Sequence, residues 1–306
     1  MRRRVPLGAL AAAAIALLLA ACSPSRMGIS RMAGALTDTA RAYSTDNDPE
    51  FVRLAAPSTL KMVEMLLDQD PEHEGLLLTA CSGFTQYAYA FLQVEAELAP
   101  PAEAVRAEEL RSRARAMYLR ARGYCWRALE RTHPGARAAI TADPQKGLAA
   151  MQAIDVPVLY WLAASWGGEL GLASNQLLRL SDLLAIRLVL TRALALNEEW
   201  EAGAIHEAMI ALDGMSPLLG GSAARARQHF ERAVALAGGK SAYAYVTLAE
   251  SVSVAARDRT EFEKLLKTAL AIDLDARPSL RLANLVAQRR ARFLLTRADA
   301  LFGGRR

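Results

Sequence analysis

Apolar side chains recur every three or four residues along most of the chain. The strict alternation of a half-buried strand is hard to find. Leu76, Ala80, Phe84, Tyr87 and Phe91 fall on one helical face. Turn signals interrupt this pattern at Asp48-Pro49, Asp70-Pro71, Pro100-Pro101, His133-Pro134-Gly135, Asp143-Pro144, Gly220-Gly221, Gly238-Gly239 and Arg277-Pro278. The stretches between them suit paired helices, so the expected fold class is all-α.

Helix pairs raise the question of repeats. The second helix of a tetratricopeptide unit needs a small residue, a large one four later and Ala three after that. Ala226, Phe230 and Ala233 match, with Gly238 five later where Pro is usual. Phe262, Leu266 and Ala269 match in part; Ile186, Leu190 and Ala193, and Ala121, Cys125 and Ala128, sit in the same frame. A first unit would end at Asp70-Pro71. The spacing is irregular, so the expectation is a set of degenerate tetratricopeptide-like repeats with insertions, forming an α-α superhelix over residues 35–306. A generic Ala-rich bundle is the alternative.

Residues 75–94 carry no charge. Their length alone would fit a membrane span, but Thr79, Ser82, Gln86 and Gln93 make them too polar and share one face. Aromatics crowd the same segment at Phe84, Tyr87, Tyr89 and Phe91, and again at Tyr118, Tyr124 and Trp126, at Tyr160, Trp161 and Trp166, and at Tyr243 and Tyr245. Core packing accounts for most of them. A neutral polar stripe beside Tyr and Trp also suits a largely apolar pocket with a few polar handles. In a superhelix the two neutral segments would face each other across a cavity. Candidate lining residues are Ser82, Gln86, Tyr87, Tyr89, Tyr160, Trp161 and Trp166, with Asn284 and Arg289 added.

Composition narrows the class. Of 306 residues, 53% are hydrophobic and 23% charged, which excludes a disordered chain. The net charge is +5, three of it from Arg2, Arg3 and Arg4. No Lys/Arg block reads as a nucleic-acid arm. Those three arginines open a leader, followed by an apolar run from Ala9 to Ala20 and then by Leu19-Ala20-Ala21-Cys22, a lipobox. Residues 1–21 are thus expected to be a cleaved lipoprotein signal peptide, with Cys22 lipidated and residues 22–34 a tether. Ser23, where Asp would signal inner-membrane retention, favours the periplasmic face of the outer membrane. The periplasm permits disulfides, but Cys81 and Cys125 lie in apolar helical patterns, and we expect free buried thiols.

Catalytic signatures are missing. The four His are scattered, and there is no HExxH, no CxxC pair and no G-x-S-x-G. Gly238-Gly239-Lys240-Ser241 is half a P-loop, but a helix precedes it, so it reads as a helix–helix turn. Asp46-Asn47-Asp48 lacks the central Gly of a calcium loop and reads as a polar turn. A hydrolase is disfavoured, and neither cofactor nor metal is expected.

Four strings, residues 76–91 (LLLTACSGFTQYAYAF), 157–167 (PVLYWLAASWG), 225–234 (RARQHFERAV) and 281–293 (RLANLVAQRRARF), resemble the signature of the TRAP transporter T-component family. The resemblance covers essentially the whole chain after the leader. It implies a periplasmic lipoprotein with an all-helical, tetratricopeptide-like fold. Such a protein works beside the solute-binding protein of a tripartite ATP-independent periplasmic transporter. It supplies no catalytic residues to carry over. The expected function is a non-enzymatic, membrane-anchored accessory that docks a solute-binding protein and holds or passes an apolar solute, with homo-oligomerisation left open. The alternative is a helical-repeat scaffold lipoprotein for envelope assembly with no solute role.

Overall fold

The computed structural model describes residues 34, 42–173 and 180–303. Residues 1–21, expected to be a signal peptide, Cys22 and all of the expected tether but Gly34 lie outside the described residues. Helix α1 spans Pro49–Gln69, α2 Glu74–Ala88, α3 Ala104–Thr132, α4 Ala136–Ala142 and α5 Pro144–Gly147. Then come α6 Val156–Gly171, α7 Leu180–Leu196, α8 Ala204–Asp213 and α9 Ala223–Ala237. The last are α10 Ala242–Leu248, α11 Arg259–Leu270, α12 Arg281–Thr296 and α13 Ala298–Phe302. No strand occurs among the described residues. No described helix is long and apolar enough to cross a membrane.

Local chemistry explains the boundaries. The polar turn at 46–48 is a cap: Asp48 accepts hydrogen bonds from the backbone of Glu50 and Phe51, with Pro49 in the first turn of α1. The half P-loop is a turn: α9 stops at Gly238, whose φ of 63° suits glycine, and Ser241 precedes α10. The small and large residues of the repeat test lie on packed faces. Ala226, Ala233, Phe262, Leu266, Ala269, Ala193 and Ala121 are fully buried.

Successive helices pack on their neighbours: α2 on α3, α3 on α6, α6 on α7, α7 on α8, α8 on α9 and α10, and α10 on α11 and α12. The circuit then closes, because α12 returns to α1 and to the helical stretch Val94–Leu98 that follows α2. Arg281 donates to the carbonyl of Thr45 at 2.7 Å, and Arg289 and Arg290 pair with Glu95 and Glu97. One core cluster runs from Cys81 to Leu212 and a second from Ile210 to Ala298. Gly168 of α6 admits the Tyr118 ring of α3; a Cβ there would come within 2.5 Å of that ring.

Cys81 and Cys125 form a disulfide between α2 and α3, which corrects the expectation of free thiols. Fully buried Ala80 and Ala121 leave room for α2 and α3 to come close, and the two cysteine Cα atoms stand 4.9 Å apart. The apolar face that argued for buried thiols is the face that joins them. The bridge spans 44 residues, so losing it should cost about 4 kcal/mol by loop entropy. Urea denaturation of oxidised protein against the Cys81→Ala, Cys125→Ala variant checks this. Equal midpoints would contradict it.

Candidate functional site

The helical circuit gathers side chains from six helices. The helical path continues past the end of α2 at Ala88. It passes through a π turn, Tyr89–Gln93, and resumes over Val94–Leu98. A second π turn, Ala249–Ser253, follows α10. Each inserts an extra residue and rotates the next stretch of helix to a new face. The first carries Tyr89, whose ring meets Tyr243 of α10 edge-on at 5.8 Å. It also carries Gln93, which accepts from the Tyr118 hydroxyl at 2.7 Å and donates to Glu97 at 3.0 Å. The second carries Glu250, which takes two hydrogen bonds from Arg290, at 2.8 and 2.6 Å. Arg290 also pairs with Glu97, so one guanidinium ties α2, α10 and α12 together.

Beside this network lies an aromatic group. Tyr160 of α6 packs against Trp161 at 4.8 Å and Trp200 at 4.6 Å. Glu207 of α8 accepts a hydrogen bond from the Ser241 hydroxyl. It is near enough to Tyr160 and Tyr243 that its charge, added to burial, drives both phenols up. Burial also raises Tyr89, with Tyr243 adding to it. Glu207 itself is pushed up to about 7 by burial, which the Ser241 hydrogen bond only partly offsets. Tyr89, Tyr160, Trp161, Trp200, Glu207 and Tyr243 are nevertheless all half-buried, with surface that water can reach.

Aromatic rings lie near a few hydroxyls and carboxyls here, among them the hydrogen-bonded Ser241 and Glu207. Among the described residues no group of three or more His, Cys, Asp or Glu could hold a metal ion. The profile of the TRAP transporter T-component family matches residues 45–302. The chain belongs to that family. It is thereby an accessory component of TRAP-type transport, a family not known for enzymes. It is also similar to an uncharacterized protein of Treponema pallidum (strain Nichols), 28% identical over 305 residues and covering 94% of each chain.

Within this T-component the expected site residues separate. Tyr89, Tyr160 and Trp161 join the convergent group. Tyr87 is half-buried and packs on Phe91 at 5.7 Å. Ser82 spends its hydroxyl on the Thr79 carbonyl, and Gln86 is exposed, reaching back to the Ser82 carbonyl at 3.4 Å. Trp166 is core: it packs on Trp126 at 5.9 Å, under the Arg122 guanidinium. Asn284 is buried and orders the start of α10, accepting from Ala242 N at 2.8 Å and donating to the Lys240 carbonyl at 2.9 Å. Arg289 is exposed and paired with Glu95. Sequence reasoning missed Glu207, Trp200 and Arg290. Glu207 carried a signal, as a lone acid in the apolar run of residues 204–210.

The raised Glu207 predicts a pH effect. Its native state favours the neutral acid, so its contribution to stability is full below about pH 4.5 and lost as pH rises through about 7. His206 and His229 are held below the ordinary 6.5 by burial and act in the opposite sense, losing stability as pH falls. Comparing Glu207→Gln with the wild type isolates the carboxyl. The variant should gain stability relative to wild type between pH 5 and pH 8 in urea denaturation. A difference that does not change with pH would contradict the assignment.

Proposed function

We propose that this T-component is a periplasmic lipoprotein, anchored to the outer membrane through Cys22. There it docks the solute-binding protein of a TRAP system and holds an apolar solute inside its helical circuit. The helix pairs are read as degenerate tetratricopeptide-type units, whose inner faces line the holding site. One observation carries the solute reading. Tyr89 packs edge-on to Tyr243 at 5.8 Å and Tyr160 against Trp200 at 4.6 Å, and all four rings are half-buried, with surface open to water. Partly open aromatic rings with few polar groups beside them suit an apolar ligand. The lipobox at residues 19–22 supports the anchor, and family membership supports the partner.

Two experiments test this. Cys22→Ala should release the protein from the membrane fraction while circular dichroism stays helical; a variant that still pellets with membranes in high salt would refute the single anchor. Tyr160→Ala with Trp200→Ala removes two aromatic walls from the interior. Solute retention, read by native mass spectrometry after exposure to periplasmic extract, should weaken by about 1–3 kcal/mol per lost contact. Capture of the solute-binding protein should survive, because docking uses the outer surface. If both readouts are unchanged in a folded variant, the scaffold function replaces this one. If capture alone is lost, the aromatic wall is a docking face.

A further inference from the structure

Asp213 ends α8 fully buried, and its two carboxylate oxygens stand in different surroundings. Oδ1 accepts from Arg187 at 2.5 Å and from Arg225 at 3.1 and 2.9 Å. Oδ2 is buried and has no hydrogen-bond partner among the described residues. It faces His229 Nε2 of α9 at 3.6 Å, too long for a hydrogen bond. Elsewhere the same kind of pair does close: His133 Nε2 stands 2.9 Å from Oδ2 of buried Asp155. A buried carboxylate oxygen left open beside an imidazole nitrogen needs a reason.

The reason is a count of protons. His229 belongs to a line of four side chains. Glu198, in the turn before α8, meets His206 Nε2 at 3.1 Å. His206 Nδ1 meets His229 Nδ1 at 2.8 Å, and His229 Nε2 faces Asp213. Arg232 donates to both oxygens of Glu198, at 2.7 and 2.6 Å, and holds its carboxyl down at about 2. An ionised Glu198 can only accept, so His206 donates from Nε2 and accepts at Nδ1. His229 must then donate from Nδ1, and a neutral His229 turns the lone pair of Nε2 toward the Asp213 carboxylate. Two neutral imidazoles carry two protons, and the line has three contacts. The contact that goes without is the long one.

We infer that His206 and His229 form a binding site for one proton, which lands on His229 Nε2 and closes the contact to Asp213 Oδ2. The proton comes from water, the Nε2 lone pair takes it, and His229 becomes an imidazolium that donates from both nitrogens. Hydrogen bonds then run unbroken from Glu198 through α8 and α9 and back to the end of α8. A second proton is refused, because it would sit on His206 Nδ1 and set two donors against each other at 2.8 Å. The charged groups around the pair are Arg187 on α7, Glu198 in the turn, Asp213 on α8, and Arg225 and Arg232 on α9. Glu207, next to His206 on α8, is engaged by Ser241. Helix α10 packs on both α8 and α9 and offers the phenols Tyr243 and Tyr245 but no charge. Burial holds His229 below the ordinary 6.5, with His206, Arg187 and Arg225 adding to it and Asp213 opposing. The site is therefore open at pH 8 and fills on the acid side of the ordinary imidazole range, so that the seam between α8 and α9 responds to acid.

The test reads the ring nitrogens. Mature protein labelled with 15N-histidine is titrated from pH 8 to pH 5 by long-range 1H–15N correlation, with His206→Gln and His229→Gln assigning the signals. At pH 8 His206 should show the Nε2–H tautomer and His229 the Nδ1–H tautomer. On acidification His229 Nε2 should become an imidazolium nitrogen while His206 keeps its Nδ1 lone pair. Asp213→Asn can present an amide N–H where Oδ2 stands, filling the contact without a proton, so the His229 midpoint should fall by about one pH unit or more. His229 with its proton on Nε2 at pH 8, His229 still neutral at pH 5, or two imidazoles that both become imidazolium above pH 5 overturns the site. So does an unmoved His229 midpoint in folded Asp213→Asn. If that variant misfolds, the wild-type tautomers decide.

Discussion

Arg290 joins the two ends of a long helical circuit. Its side chain is 13% exposed and holds Glu250 of the preceding helix pair and Glu97 of the second helix at once. An arginine desolvated to that degree is stable only with its hydrogen bonds filled by charge, and two glutamates fill them. Arg289 with Glu95 adds an exposed bridge beside it, of the kind that contributes little alone. Without the shared guanidinium, Glu97 and Glu250 would repel, and the return of α12 would rest on Arg289 with Glu95 and Arg281 with the Thr45 carbonyl. A series of paired helices is open by default, because each pair touches only its neighbours. Closure turns one face of that series into an interior.

The interior explains the odd distribution of charge. The segment from residue 75 to 94 bears no charge, because much of it is packed between α1 and α3 and the rest turns inward at Tyr89 and Gln93. Where charge does enter, it is compensated: Arg290 by two carboxylates, Asp213 by two arginines, Glu169 by two more. Glu207, half-buried, has the Ser241 hydroxyl as its hydrogen-bond partner among the described residues.

The all-helical class was legible, because the three-to-four spacing and the Gly and Pro breaks report local physics. The small residues at 121, 193, 226, 233 and 269 could be read as close-contact positions, and each is fully buried. What spacing cannot carry is register between helices. Cys81 and Cys125 each look like buried thiols on their own helix; only the approach of α2 to α3 makes them a disulfide. The π turns at 89–93 and 249–253 have no periodic signature, and they decide which aromatics face inward. A continuous helix keeps Thr79, Ser82 and Gln86 on one stripe, but two of those side chains bond their own backbone and Gln86 reaches only the Ser82 carbonyl. Trp200 sits in a loop turn, where no helical pattern points to it.

The central claim is that the closed circuit holds an apolar ligand between Tyr89, Tyr160 and Tyr243. Crystals of the mature protein grown with 1-bromodecane test it directly, since bromine is located by anomalous scattering without reference to the protein's own atoms. The account predicts an anomalous peak inside the circuit, within contact distance of those rings. Peaks confined to the outer surface, with the interior filled by protein side chains alone, would contradict it.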